Sequence, residues 1–274
     1  QGSYLPGSTV KPLIAAMSLE YDILNENYEF TGDIYRNQWT PSGYWPYPAI
    51  TRVSYYNGPV NMSNALTYSD NIYFAFLALQ TGWDILEPFL QRVGFDERID
   101  FDLRGAPPSD RSSGNDEKRH RLAAAGYGQG ELLISPLQMA CIFSSLANDG
   151  DIMTPRLVKA TRRMEGTEYV VVEEMPTSVW REDVITQDAL DTIVPMLHRV
   201  VEEGTGRRAD IDGLTIYGKT GTAEIGSDKT REIGWFIAFV DDEEYSRLVC
   251  VTLELPANYE GTVRYDLVRE LLMP

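Results

Sequence analysis

Cysteine and histidine are scarce, with two of each among 274 residues. Cys141 and Cys250 both lie in apolar runs and read as buried free thiols, since nothing in the sequence brings them together as a bridge. His120 and His198 have no ligating neighbours at useful spacing, which argues against the common metal sites; the first reads as a loop residue, the second as a helix-face residue. With so few histidines and no G-x-S-x-G elbow, a Ser-His-Asp hydrolase is a poor fit. Long apolar runs are missing too. No stretch reaches the length of a membrane-spanning helix, and the first residues carry neither a basic region nor a signal-type apolar core. Positive charge is also short: 24 Lys and Arg face 41 Asp and Glu, a net −17, and basic residues cluster only in fragments such as EKRHR at 117–121. Nucleic acid, which needs a basic stripe, is therefore not an expected partner.

What is present is enough apolar surface for a substantial core, 43% hydrophobic and 11% aromatic residues with no long polar tract between them. One large domain over 1–274, or two intimate lobes, is expected. Apolar periodicity predicts helices over 9–24, 61–65, 71–81, 84–93, 136–149, 185–201 and 263–272. Ser135 caps the fifth of these and Pro136 suits its first turn. The aromatic, proline-punctuated stretch 35–59 and the polar stretch 104–119 read as loops. From Leu214 onward LTIYGKTGTAE, GWFIAFV and RLVCVTLEL form three β-rich runs. The order gives an α+β fold, an antiparallel sheet flanked by helices (about 214–274) behind a mostly helical lobe (about 20–200).

Three short motifs carry chemistry. In PGSTVKP (6–12), a helix that starts near Ser8 puts Lys11 on the same face of its first turn. A serine needs a base to become a nucleophile, and an amine near a helix N-terminus, partly desolvated, has its pKa lowered towards that task. Taken alone, the motif favours Ser8 as an N-cap and Lys11 as a solvated lysine, since S-x-x-K occurs often by chance. Ser69, Asp70 and Asn71 precede an apolar helix, so on their own Ser69 reads as its cap and Asn71 as a turn residue. Lys219, Thr220, Gly221 and Thr222 lie on a predicted strand, where a glycine marks either a bulge or the close approach of a ligand. A cation, two hydroxyls and accessible backbone suit an extended substrate that ends in a carboxylate.

In the order S-x-x-K, S-x-N, K-T-G these motifs match the set known from penicillin-binding proteins and serine β-lactamases. The chain resembles the penicillin-binding transpeptidase family, and its class B, monofunctional members most. YLPGSTVKP, ALTYSDNIYF, GYGQGELLISPLQMA, VEEGTGRRA, YGKTGTAE and GWFIAFV all look like that family's recurring blocks, in the family's order. The resemblance implies a β-lactamase/transpeptidase-like fold whose sheet takes further strands from a segment upstream of residue 1. It implies that Ser8 is acylated by D-Ala-D-Ala stem peptides, that Lys11 takes its proton, and that Ser69 passes a proton to the leaving D-alanine. Asn71 would hold the substrate amide and steady Lys11, and Lys219 would supply positive potential. Thr220 and Thr222, beside Gly221, would bind the terminal carboxylate, and the N–H groups of Ser8 and Thr222 would form the oxyanion hole. It implies no metal and no cofactor. The implied partners are peptidoglycan stem peptides, β-lactams and wall-synthesis membrane proteins, at the outer face of the cytoplasmic membrane, with an anchor upstream.

The rival functions are a β-lactam sensor or non-catalytic binding module and, less favoured, a serine β-lactamase. Glu87 and Pro88 look like the start of a deacylating motif, but FLQRVG does not complete it. GYGQG (126–130) lacks the strand, spacing and lysine of a phosphate loop. The aromatic cluster at 39–48 reads as packing, and Asn61-Met62-Ser63 as a chance glycosylation sequon.

Overall fold

The computed structural model describes residues 2–95, 97, 99, 101, 118–225, 230–241 and 245–273. A single 3-10 turn, Gly7–Val10, leads directly into helix α1, Lys11–Glu20. Pro12 is tolerated because the first N–H groups of a helix have no intrahelical acceptor to lose. The helix stops four residues short of the predicted end. The Ser18 hydroxyl both donates to Leu24 O (2.9 Å) and accepts from Leu24 N (3.1 Å), so the chain folds back on the last turn.

The stretch read as loop at 35–59 contains a two-stranded ribbon, β1 (Gln38–Trp39) and β2 (Ile50–Thr51). Its Trp39 packs edge-on against Phe30 and Phe76. Helix α2 (Met62–Thr67) is capped by Asn61, whose side chain accepts from Asn64 N at 3.0 Å. Helix α3 (Asn71–Thr81) ends at Gly82, where φ is +78°, and α4 (Trp83–Arg92) follows at once. Helix α5 (Lys118–Ala125) takes the last two residues of the predicted second loop, together with His120, which stacks on Tyr47. His120 is thus a helix residue. The rest of that loop, 104–117, lies outside the described residues.

Helix α6 (Pro136–Ser144) is capped by Ser135, which accepts from Gln138 N at 3.2 Å. Three strand pairings inside the helical region escape the sequence reading: β1 with β2, β3 (Ile152–Met153) with β6 (Val179–Arg181), and the hairpin β4 (Ala160–Glu165) with β5 (Glu168–Glu174). Strand β5, EYVVVEE, is exposed at every position. With neither face buried there is no alternation to read. Helix α7 (Gln187–Glu202) places His198 on a helix face, with Nδ1 at 3.0 Å from Ile216 O.

The sheet β7 (Tyr217–Ile225), β8 (Arg231–Asp241) and β9 (Ser246–Pro256) is antiparallel in that order, and α8 (Val263–Leu272) closes the chain. Register runs from Tyr217↔Phe239 to Ile225↔Arg231 on one side of β8, and from Arg231↔Pro256 to Asp241↔Ser246 on the other. Strand alternation divides the core in two. Ile233, Trp235, Ile237 and Phe239 face the helices, packing in one cluster with Val10, Leu13, Ile14 and Phe143. Phe236, Ala238 and Val240 face the other way, under Tyr265, Val268 and Leu272 of α8. Each such large side chain, fully buried, contributes about 1.5–3 kcal/mol. Trp235 also donates from Nε1 to Leu5 O (2.9 Å), which pins the segment before the 3-10 turn onto the sheet. Cys141 and Cys250 are free, their thiols pushed by burial up to about 11 and about 12.

Candidate active site

The site sits at the seam between helices and sheet, along the edge of β7 that pairs with no strand among the described residues. Ser8 is buried in the 3-10 turn, and the Lys11 N–H donates to Ser8 O. No side chain caps that turn, so Ser8 is not an N-cap. Its backbone is pressed against neighbours that have no side chain. A Cβ on Gly7 (φ +53°) would stand 2.6 Å from Thr222 O, one on Gly221 2.9 Å from Thr9 Cγ2, and one on Gly128 1.9 Å from Gly7 O. The Gly7 N–H donates to Gly128 O at 2.9 Å. Gly128 of GYGQG is therefore where a loop meets the turn that carries Ser8.

Ser69 is not a cap either. Asp70 caps α3, with Oδ1 accepting from Ile72 N at 2.8 Å, and Asn71 is the first helical residue. Ser69 stands in the left-handed region at φ +59°, held there by Ser69 N→Leu66 O (3.3 Å) and Asp70 N→Ala65 O (2.8 Å). A non-glycine residue there costs energy, and such strain concentrates at functional sites.

Two buried amines converge on that serine. Lys11 Nζ lies 2.8 Å from Ser69 O, 2.9 Å from Asn71 Oδ1 and 3.3 Å from Ser69 Oγ. Lys219 Nζ lies 3.1 Å from Ser69 Oγ and 3.1 Å from Thr220 O. Both residues are 0% exposed. Burial holds the Lys11 amine well below its usual range; the neighbouring Lys219 charge pushes it the same way, and Asp70 opposes. Burial, then the charge of Arg264, brings Lys219 down to about 7. A neutral amine has two N–H groups and one lone pair. Ser69 O and Asn71 Oδ1 can only accept, so they take both N–H groups of a neutral Lys11 and leave its lone pair to receive a proton from a hydroxyl.

Of the residues the sequence singled out, Lys11, Ser69, Asn71 and Lys219 share one hydrogen-bonded network, and Ser8 and Gly221 lie in the turn-to-strand contact beside it. The two threonines differ. Thr220 is buried, its hydroxyl 2.6 Å from that of Thr205, whereas Thr222 is exposed. Thr222 O faces Gly7 and accepts from Gln129 Nε2 at 3.4 Å. In a strand the N–H of a residue points to the same side as its carbonyl, so Thr222 N–H faces the open edge beside Ser8.

Sequence reasoning missed the support of this site. Asp70 Oδ2 accepts from Tyr56 OH (2.8 Å) and pairs with Arg52 Nε (2.7 Å), both partners coming from the stretch read as loop. Thr51 O accepts from Asn71 Nδ2 at 3.1 Å. No local pattern marks Arg52, Tyr56 or Arg264, and Gln129 and Thr205 lie in family-like blocks that assign them no role; only the folded chain brings them here.

Fold and motif geometry together define a transpeptidase-type domain. The family model described as the penicillin binding protein transpeptidase domain matches residues 1–273, and the chain belongs to that family. Penicillin-binding protein 3 of Bacillus subtilis (strain 168) is 33% identical over 261 residues, covering 92% of this chain and 36% of that protein. Peptidoglycan D,D-transpeptidase MrdA of Acinetobacter baumannii is 28% identical, over 83% of this chain and 34% of its own length. The chain thus spans about a third of the length of these relatives. Among solved structures, the D,D-transpeptidase domain of a peptidoglycan glycosyltransferase from Eggerthella lenta superposes with a TM-score of 0.80 at 26% identity, covering 98% of this chain and 64% of that one.

Proposed function

We propose that this chain is the acyl-transfer domain of a peptidoglycan D,D-transpeptidase that works through an acyl-enzyme on Ser8. The observation that carries the reading is the pair of buried amines on the hydroxyl of Ser69, whose backbone is strained, beside the turn that carries Ser8 and packs on an open strand edge. Ser8 Oγ attacks the carbonyl of the D-Ala-D-Ala bond and its proton passes to the neutral amine of Lys11. The N–H groups of Ser8 and Thr222 receive the developing oxyanion, and loss of one such donor costs about 3 kcal/mol of barrier. The C–N bond then breaks, and the proton returns through Ser69 to the departing D-alanine. An acceptor amine of a second stem peptide takes the acyl group and restores Ser8. Asn71 holds the donor amide, Thr222 holds the terminal carboxylate and the buried Lys219 supplies positive potential behind it; Thr220, expected to share the carboxylate, has its hydroxyl buried against Thr205 instead. An anchor upstream of the chain would hold the domain at the outer face of the cytoplasmic membrane, where wall-synthesis membrane proteins would be its partners.

A β-lactam enters the same path: Ser8 Oγ bonds to the lactam carbonyl, the ring C–N bond opens and its nitrogen takes the proton. Deacylation then needs a carboxylate free to activate water. Asp70 is the carboxylate next to the network, and both its oxygens are engaged, by Ile72 N–H and by Tyr56 with Arg52. The adduct should therefore persist, unlike that of a β-lactamase. Intact-mass spectrometry after benzylpenicillin tests this. The native chain should gain one intact penicillin that survives prolonged incubation, and Ser8→Ala should gain none. An adduct on Ser8→Ala, or rapid multiple turnover by the native chain, would overturn the reading.

A further inference from the structure

Arg264, the second residue of α8, reaches back over the sheet edge. Its Nη1 lies 3.3 Å from Gly221 O and 3.3 Å from Thr222 Oγ1, and its Nη2 donates to Tyr265 OH at 2.9 Å. The guanidinium also lies over the Tyr265 ring, 4.9 Å from its centre, and Tyr265 is itself buried.

A guanidinium can only donate, whereas a hydroxyl both donates and accepts. When Thr222 Oγ1 accepts from Arg264, its one proton is left for a different acceptor. Thr220 has no such freedom, because its hydroxyl is buried against Thr205. Thr222 is exposed, so its proton is offered to the site. The charge is not cancelled either. Among the described residues Arg264 forms no ion pair, in a chain whose net charge is −17, and the other cation of this edge, Lys219, feels it as a repulsion. Arg264, without an ion pair among the described residues, and the exposed Thr222 hydroxyl that it bonds match an anionic group on the ligand.

We infer that Arg264 is a positioning residue for the substrate's terminal carboxylate: it orients the Thr222 hydroxyl as a donor and adds positive charge behind it. This rests on the acyl-transfer reading above. The test compares acylation by benzylpenicillin, which carries a carboxylate, with acylation by its methyl ester, which does not, in the native chain, Arg264→Met and Arg264→Lys. Arg264→Met should lose about tenfold in acylation efficiency with the free acid, the scale of one charge-assisted hydrogen bond. The loss should fall on capture, with the limiting acylation rate kept, and the ester should change by less than about twofold. Arg264→Lys, which keeps the charge, should recover part of the loss with the acid alone. Equal losses with acid and ester would mark a structural role and overturn the inference, as would no loss with either. If the native chain itself is not acylated on Ser8 by benzylpenicillin, the acyl-transfer reading falls instead.

Discussion

Replacing Lys219 by methionine should stabilise the protein while disabling it, and the gain should depend on pH. In the folded chain the amine titrates at about 7, against 10.5 for an ordinary lysine, chiefly because it is desolvated and then because of Arg264. A base whose folded pKa is lowered binds fewer protons folded than unfolded between those two values. Stability of the native protein therefore rises with pH across that window, by about 1.4 kcal/mol per unit, and is flat below it. Methionine has a similar volume and no proton, so this slope is absent from Lys219→Met. Between about pH 7 and pH 9 the native chain should gain about 3 kcal/mol that the variant does not. Below pH 7 the buried ammonium costs the native chain most. There the variant should be more stable by about 1–4 kcal/mol, after the lost bonds to Ser69 Oγ and Thr220 O are counted. Lys11, relieved of its charged neighbour, would titrate nearer its usual range in the variant, which enlarges the contrast. Urea denaturation of both proteins at several pH values measures it, since groups common to both, Lys11 apart, cancel in the difference. A stability difference that does not change with pH, or that favours the native chain most in acid, would refute the reasoning.

Two further substitutions probe the frame of the site. Gly128→Ala puts a methyl 1.9 Å from Gly7 O at a φ of +74°, so the turn carrying Ser8 must move; penicillin acylation should fall at least about 100-fold, in line with displacing an oxyanion donor, and near-native acylation would show that the contact is not required. Arg52→Met leaves the fully buried Asp70 carboxylate without its cation and should cost about 3–5 kcal/mol in urea titrations at neutral pH; a loss under about 1 kcal/mol would mean that Tyr56 and the Ile72 N–H alone suffice.

How much of this was legible in the sequence depended on how local each signal was. The three strands after Leu214 and helix α6, with Ser135 as cap and Pro136 behind it, were readable because alternation, capping and turn chemistry lie within a dozen residues. Ser8, Lys11, Ser69, Asn71 and Lys219 were readable because they stand in short motifs. The hairpin at 160–174 was not, since a strand exposed on both faces has no buried face to give it a period. The end of α1 and the cap of α3 went astray by side-chain choice. Ser18 turned back onto Leu24, and Asp70, not Ser69, took the cap, freeing the serine hydroxyl for the two lysines. Arg52 and Arg264 could not be found at all, because their partners lie 18 and 42 positions away in the chain and no local pattern records such pairings.

The same geometry explains why so costly a site persists. Removing two amines from water carries a penalty of several kcal/mol per charged group, and the left-handed backbone of Ser69 adds its own strain. The hydrogen bonds within the site offset these costs only in part. Strand β8 lies next to β7 and is buried on both faces, Trp235 and its neighbours packing into the helices and Phe236 and its neighbours under α8. The position of β7, and with it Lys219 and Thr222, is thus set by two hydrophobic layers at once. On the other side of the seam, Gly7, Gly128 and Gly221 let backbone touch backbone where any side chain would wedge the elements apart. A seam clamped from both sides has no looser arrangement in which the amines regain water, so the strain stays in the folded state and is available to chemistry.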